Sequence, residues 1–286
     1  MQTIGEILPN HSAEWEHISK LDARERAELK KELSNLAAGT LNEQDGYDCP
    51  YCLNRGYFWD YEDKPPYKEF TVDCKCKKIR ASIRRMKRSG LEPVLKRCTF
   101  DKYETPEQWQ KIIKEKAQAF SQIVDELENK WFFMGGAVGG GKTHLCTAVS
   151  RDFLKQGKEV RYMLWVEEVA KLNAAVTDEA VYRALIEPLK TVAVLYIDDF
   201  FKPTRDSRGQ IMKPTPGDLK RAYEIIDYRY QHRDLITIIS SEWHVNELEE
   251  IDSAVGSRIY EMTKENAYNI AKSKDRNYRL RDMEIL

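Results

Sequence analysis

Nowhere in these 286 residues do apolar side chains run on for the length of a membrane span, which argues against a membrane-crossing helix. The amino terminus carries an acid, Glu6, where a secretory leader would carry basic residues, so no signal peptide is expected and the chain reads as cytoplasmic. Charge of one sign is equally missing. With 46 Lys and Arg against 47 Asp and Glu the net charge is −1, and bulk charge names no partner. Cysteine is sparse, six in all; in a reducing compartment these are expected as metal ligands or buried thiols rather than disulfides. No internal repeat or low-complexity tract is found, which excludes a repeat architecture. The length suits one good-sized α/β domain with a smaller module.

What is present is concentrated. Gly136-Ala137-Val138-Gly139-Gly140-Gly141-Lys142-Thr143 is a complete G-x-x-x-x-G-K-[ST] loop, and it follows an apolar run, Trp131 to Met134, expected as a buried strand. Glycines let several backbone N–H groups turn toward phosphate oxygens, and a helix starting near Lys142 adds its positive end at the same spot. Gly136, Gly139, Gly140, Gly141, Lys142, Thr143 and the following His144 are therefore the candidate nucleotide-binding residues, with Lys142 on the β- and γ-phosphates of ATP or GTP and the Thr143 hydroxyl on Mg²⁺. A second apolar run, Val192 to Ile197, has the character of a central parallel strand and ends in Asp198-Asp199. Carboxylates at a strand's carboxyl end face the nucleotide crevice. Asp198 matches a Walker B residue for the Mg²⁺ shell, and Asp199 sits where a second acid would orient or deprotonate water; a solvated turn is the plain alternative.

Three regions follow: a helical stretch over 1–45, a cysteine-bearing and basic stretch over 46–97, and an ATPase domain over 98–286. In the first, Asp22 and Glu25 form a capping-box pattern, Leu29, Leu33 and Leu36 share a face, and Gly39 is a plausible stop. In the second, Cys49-Pro50-Tyr51-Cys52 and Cys74-Lys75-Cys76 give C-x₂-C and C-x-C across a 21-residue gap that reads as a short hairpin. Four thiolates on two tight turns suit tetrahedral Zn²⁺, in the manner of a zinc ribbon; four unliganded thiols in a small core is the other reading. Ten Lys/Arg and one acid, Glu92, lie between Cys74 and Arg97. That run is either a contact for nucleic acid or an acidic partner, or a solvated helix face. From Cys98 onward strand and helix alternate, with strands expected over Val160 to Val166 and Leu235 to Ile239, which predicts a doubly wound parallel sheet.

The sensor-like strand Leu235 to Ile239 runs into Ser240-Ser241-Glu242, and Gly256-Ser257-Arg258-Ile259-Tyr260-Glu261-Met262 follows on a helix. This order of elements is that of an AAA+ ATPase. With Thr99-Phe100-Asp101, Ile197-Asp198-Asp199-Phe200 and Asn277-Tyr278-Arg279, the chain from about Cys98 to its end resembles the DnaC/DnaI-type bacterial and phage replicative helicase loaders. The resemblance implies ATP and Mg²⁺ on Lys142, Thr143 and Asp198, Asp199 as a catalytic acid, Ser241 as sensor 1, Arg258 as a finger reaching a neighbouring subunit's nucleotide, and Arg279 as sensor 2. It also implies a Zn²⁺-binding amino-terminal module on Cys49, Cys52, Cys74 and Cys76 that contacts a hexameric DnaB-type helicase, assembly into an open ring or helical oligomer, and delivery of the helicase to single-stranded DNA.

Two departures matter. Family members often carry Asn at sensor 1, which leaves Ser240 a competitor of Ser241, and Lys202 to Pro216 is an extended loop that either meets single-stranded DNA or is disordered. Two alternatives stay open: an IstB-like transposition-helper ATPase, and a nucleotide-dependent adaptor with little hydrolysis, since Asp199 stands where Glu is more usual and a shorter carboxylate must sit closer to water.

Overall fold

The computed structural model describes residues 21–86, 92–273 and 276–278. Two compact units divide at Ala81 and Ser82, whereas the sequence pattern puts a boundary at 97.

The first unit opens on α1, Ala23–Leu36, whose start is held by the reciprocal Asp22 and Glu25 capping bonds. A short α2, Leu41–Asp45, ends on Gly46 in the left-handed region. Strands β1, Tyr57–Tyr61, and β2, Glu69–Asp73, then form the expected hairpin, antiparallel with Trp59 opposite Thr71. Helix α1 lies on this ribbon, fastened largely by polar groups. Asn35 exchanges two hydrogen bonds with the Trp59 backbone, and Lys30 meets Glu69 at 2.6 Å. Of the leucine face, Leu36 stays 72% exposed. Helix α3, Cys76–Met86, follows the second cysteine pair.

The second unit carries α4, Glu92–Arg97, and α5, Gln108–Ile123, then β3, Trp131–Gly136, and α6, Lys142–Lys155. Next come β4, Val160–Leu164, α7, Trp165–Ala174, α8, Glu179–Thr191, and β5, Val194–Asp198. A hairpin of β6, Thr204–Arg205, and β7, Ile211–Met212, precedes α9, Pro216–Gln231. The unit closes with β8, Ile236–Ser240, α10, Glu247–Ile251, α11, Ser253–Thr263, and β9, Ala267–Ile270.

Five of these strands form one parallel sheet in the order β4-β5-β8-β3-β9. The apolar runs that mark β3, β5 and β8 are the three central strands, buried at every residue, as strands covered on both faces must be. Two expectations change. The strand expected to reach Val166 stops at Leu164, and Trp165 turns into the core of α7 to stack edge-on against Phe200 and Phe201. The edge strand β9 was not foreseen, because four residues containing Asn269 and lying half in solvent carry no distinctive pattern. Among the described residues no helix is long and apolar enough to cross a membrane.

One buried cation ties the sheet's lower edge to its helices. Arg229 of α9 is fully buried and donates to the carbonyls of Leu189, Lys190, Val192 and Ile236 and to the Thr237 hydroxyl. Burial lowers its pKa to about 9, so it remains protonated at neutral pH. It caps the end of α8 while fixing the starts of β5 and β8. Arg229→Leu leaves four carbonyls without a donor, and we expect a loss of about 2–4 kcal/mol in urea unfolding, with nucleotide affinity retained in the fraction that stays folded.

Candidate functional site

The phosphate-type loop runs from the end of β3 into α6, where the sheet presents its carboxyl ends. Its turn depends on glycine at specific points. Gly139 and Gly141 hold φ of 72° and 86°, and a Cβ on Gly139 would collide with the Asn277 side chain, so the left-handed backbone and the close approach both exclude a side chain. Lys142 is buried, and its ammonium donates to the carbonyls of Gly136 at 2.8 Å and Ala137 at 2.7 Å. Burial depresses its pKa, with the charges of Glu242 and Asp199 pulling the other way.

The Walker B carboxylate is the meeting point of four elements. Asp198, at the end of β5 and 5% exposed, accepts from the Thr143 hydroxyl of α6 at 3.2 Å, from the Tyr162 phenol of β4 at 3.1 Å, and from the Ser240 hydroxyl of β8. Thr143 and Asp198, read from motifs 55 residues apart, thus converge. Tyr162 went unnoticed; the only signal was a phenol in the middle of the short strand β4. Beside the aspartate its own pKa is raised, burial being the larger cause.

Of the two serines, Ser240 is the one that reaches Asp198. The Ser240 oxygen also accepts the Asp199 N–H at 3.2 Å. Ser241 faces the opposite way, donating to the Phe200 carbonyl at 2.7 Å and accepting the Trp243 N–H. Alternation along a strand is the reason: neighbours point to opposite faces, and only one can reach Asp198. Asp199 adopts φ of 54° and pairs with Lys202 at 2.7 Å.

His144 is engaged elsewhere: its Nε2 is 2.8 Å from the Thr99 carbonyl, and its ring meets Tyr103 edge-on. Burial lowers its pKa, which favours the neutral ring. Thr99 to Tyr103 therefore sits against the loop, and Tyr103 brings a buried hydroxyl with no hydrogen-bond partner up to Gly141. From the other side the Tyr278 N–H donates to the Gly139 carbonyl at 3.1 Å. Arg279 lies outside the described residues. Beside the loop runs a groove of about 470 Å³, lined by Val138, Pro203, Arg205, Ile211, Trp243 and Lys272 among others.

Arg258 is not a free surface arginine. It bonds the Ala254 carbonyl, pairs with Asp227 of α9 at 2.9 Å, and lies over the rings of Tyr223 and Tyr230.

In the first unit, Cys49, Cys52, Cys74 and Cys76 are all buried with their sulfurs within 4.8 Å of one another. Cys49 and Cys74 are 3.8 Å apart, Cys52 and Cys76 3.5 Å. Tetrahedral zinc with Zn–S bonds of about 2.3 Å needs sulfurs about 3.8 Å apart, so the set fits that ion. The Gly56 N–H points at the Cys52 sulfur, and Arg80, buried against Asp45, adds a cation on the same helix.

With this geometry in view, comparison with known proteins is decisive for the family. The IstB-like ATP binding protein family matches residues 73–251, more than half the chain. The chain belongs to the IstB-like ATP-binding family. This IstB/DnaC-type member is similar to the phage-like element PBSX protein XkdC of Bacillus subtilis (strain 168), 30% identical over 82% of this chain and 87% of XkdC. It is also similar to the replicative helicase loader DnaC of Escherichia coli (strain K12), 26% identical over 45% of this chain and 53% of DnaC. The crystal structure of the DnaC helicase loader superposes with a TM-score of 0.50 at 20% identity, covering 64% of this chain and 99% of that one, which establishes a shared AAA+ fold. The chain is thus an ATP-binding protein built on an AAA+ ATPase domain.

Two substitutions separate the serines. Ser240→Ala removes a donor to the buried Asp198 carboxylate and is expected to lower ATP turnover roughly tenfold or more. Ser241→Ala should leave turnover near wild type and cost about 1–2 kcal/mol in thermal unfolding. Lys142→Ala, which removes the buried cation of the glycine-rich loop, should abolish ATP binding in an equilibrium assay.

Proposed function

We propose that this chain is an ATP-hydrolysing loader of a hexameric, DnaB-type replicative helicase, acting in the cytoplasm to deposit the helicase on single-stranded DNA. The observation that carries the reading is the presence, on one chain, of a Walker-type ATP site and a separate buried four-cysteine cluster, together with the likeness to the DnaC loader.

In this reading Lys142 exchanges the carbonyls of Gly136 and Ala137 for the β- and γ-phosphates of ATP, a trade of neutral acceptors for charged ones. Thr143 and Asp198 are the residues that would hold Mg²⁺, which would neutralise phosphate charge when bound. Ser240 keeps the Asp198 carboxylate oriented and fixes the Asp199 backbone. Asp199 takes the proton of the attacking water. Arg258, released from Asp227, reaches the nucleotide of a neighbouring subunit in an open ring or helical oligomer, and Arg279 acts as sensor 2. Cys49, Cys52, Cys74 and Cys76 would hold one Zn²⁺ in a structural role, crosslinking the segment that offers the helicase a surface.

The experiment is capture of purified replicative helicase by the full-length protein, with zinc measured by mass spectrometry. About one zinc per chain and ATP-responsive capture are expected; Cys49→Ser/Cys52→Ser should lose both metal and capture while retaining ATP binding. Full capture by a metal-free protein would remove the zinc from the mechanism. The family description favours a second reading, a transposition helper of the IstB kind, and capture of a transposase in place of the helicase would establish it. Mixing Arg258→Ala with Lys142→Ala subunits should restore part of the hydrolysis that each lacks alone. No recovery in assembled mixtures would end the finger in trans.

A further inference from the structure

The wall of the cysteine cluster contains a charged side chain as well as sulfur. Arg80 lies one turn beyond Cys76 on α3 and is 1% exposed. A guanidinium held out of water is costly unless its N–H groups find acceptors. Two of its nitrogens do. Nη1 donates to the Asp45 carboxylate, itself 5% exposed at the end of α2, and Nη2 donates to the Asn54 side-chain oxygen at 2.9 Å. The Tyr47 ring packs against the same guanidinium, 5.4 Å away. Nε is buried with no hydrogen-bond partner.

These contacts join the two halves of the cluster. Asn54 holds φ of 66°, in the left-handed region that asparagine tolerates better than most residues, and its side-chain oxygen accepts the Cys49 N–H at 2.8 Å as well as the Arg80 fork. The turn that carries Cys49 and Cys52 is thus tied through one amide oxygen to the helix that carries Cys76. Burial pushes the Cys76 thiol pKa up, and the Arg80 guanidinium beside it pulls the other way. Four thiolates around one divalent ion would leave this buried site with excess negative charge, to which Asp45 adds. Arg80 brings the opposite sign.

We propose that Arg80 is the positioning residue of the four-cysteine site: its unpaired Nε–H is the donor for the Cys76 sulfur of the metal-loaded cluster, and its permanent charge offsets that of the thiolates. The proposal rests on the reading of Cys49, Cys52, Cys74 and Cys76 as a zinc site and adds a fifth residue to it. A donor on a metal-bound thiolate draws electron density from the sulfur and lowers the cost of packing four anions together. A cationic donor does so more strongly than a neutral one such as the Gly56 N–H, 3.2 Å from the Cys52 sulfur. Arginine suits the task because its planar fork serves Asp45, Asn54 and a sulfur from one rigid group, whereas lysine offers a single centre. Partners of this kind, one bond removed from the metal, are worth about 10- to 100-fold in metal affinity.

The test is equilibrium partition of zinc between the full-length protein and a chromogenic chelator, together with the absorption spectrum of the cobalt-loaded protein, for wild type, Arg80→Met, Arg80→Lys and Asp45→Asn. Arg80→Met should weaken zinc retention by about 10- to 100-fold while still filling at saturating metal. Its sulfur-to-cobalt charge-transfer band should move to lower energy with the tetrahedral d–d bands in place, because sulfur lone pairs relieved of a donor rise in energy. Arg80→Lys, which keeps the charge without the fork, should recover part of the retention. Asp45→Asn separates the roles: it removes the ion-pair partner and leaves the cation, so zinc should be held at least as tightly as in wild type. A loss in Asp45→Asn equal to that in Arg80→Met overturns the proposal and makes Arg80 only a brace for α2. Wild-type retention with an unmoved band in Arg80→Met overturns it equally. If Arg80→Met takes up no metal even at saturation, the other variants decide: retention by Arg80→Lys beside tight binding by Asp45→Asn upholds the proposal, and a loss in Asp45→Asn ends it. A wild-type protein that binds neither zinc nor cobalt removes the metal reading itself, whereas a metal-binding wild type beside an indifferent Arg80→Met leaves the four cysteines standing and removes only Arg80.

Discussion

A single buried carboxylate organises the candidate site. Asp198 sits at 5% exposure, where an ionised group is costly unless its lone pairs are used, and donors from three other elements use them: Thr143 of α6, Tyr162 of β4 and Ser240 of β8. Each donor comes from a different element, one helix and two strands of the sheet, so satisfying this one charge aligns the phosphate-type loop, β4 and β8 together. The same hydroxyl of Ser240 then passes the constraint to the Asp199 backbone. A shift of either serine or aspartate by one residue would point the side chain to the other face and leave the charge unpaired.

Around that centre the loop is held from two sides by segments far apart in sequence. Thr99 to Tyr103 reaches it through His144 and Gly141, and Asn277 and Tyr278 reach it through Gly139. The glycines are thus needed for more than phosphate approach, since they also make room for the protein's own chain. A nucleotide arriving here meets a loop and strand end whose charged groups already have partners: Lys142 with two carbonyls and Asp199 with Lys202. Turnover in the proposed mechanism is therefore an exchange of partners rather than the desolvation of a bare charge.

The first unit obeys a different constraint. Its two-stranded ribbon and short helices bury few large side chains among the described residues, and the inward-facing groups include four thiols and the Arg80–Asp45 pair. A segment of this size lacks the apolar area to hold itself, and the convergence of the sulfurs to tetrahedral spacing is the compensating feature.

Much of this was legible in the chain alone because it depends on local chemistry. The glycine spacing with Lys142 and Thr143, the apolar runs of β3, β5 and β8 with Asp198-Asp199 at the end of β5, the paired cysteines and the Asp22–Glu25 cap are each written in a few adjacent residues. What only the tertiary structure decided concerns which distant groups meet. The choice of Ser240 over Ser241 turned on the register of β8 against β5; the anchoring of Asp198 by Tyr162 needed β4 beside β5; the edge strand β9 exists because β3 offers it a free edge, its own residues having little preference; and the pairings of Arg258 with Asp227 and of Lys202 with Asp199 follow from helix crossing and from a left-handed turn that no single-residue propensity announces. Sequence specifies local conformation and burial through short-range sterics and hydrophobic pattern, whereas the partner of a charge is set by three-dimensional packing, and it is the partners of charges that determine what this site does.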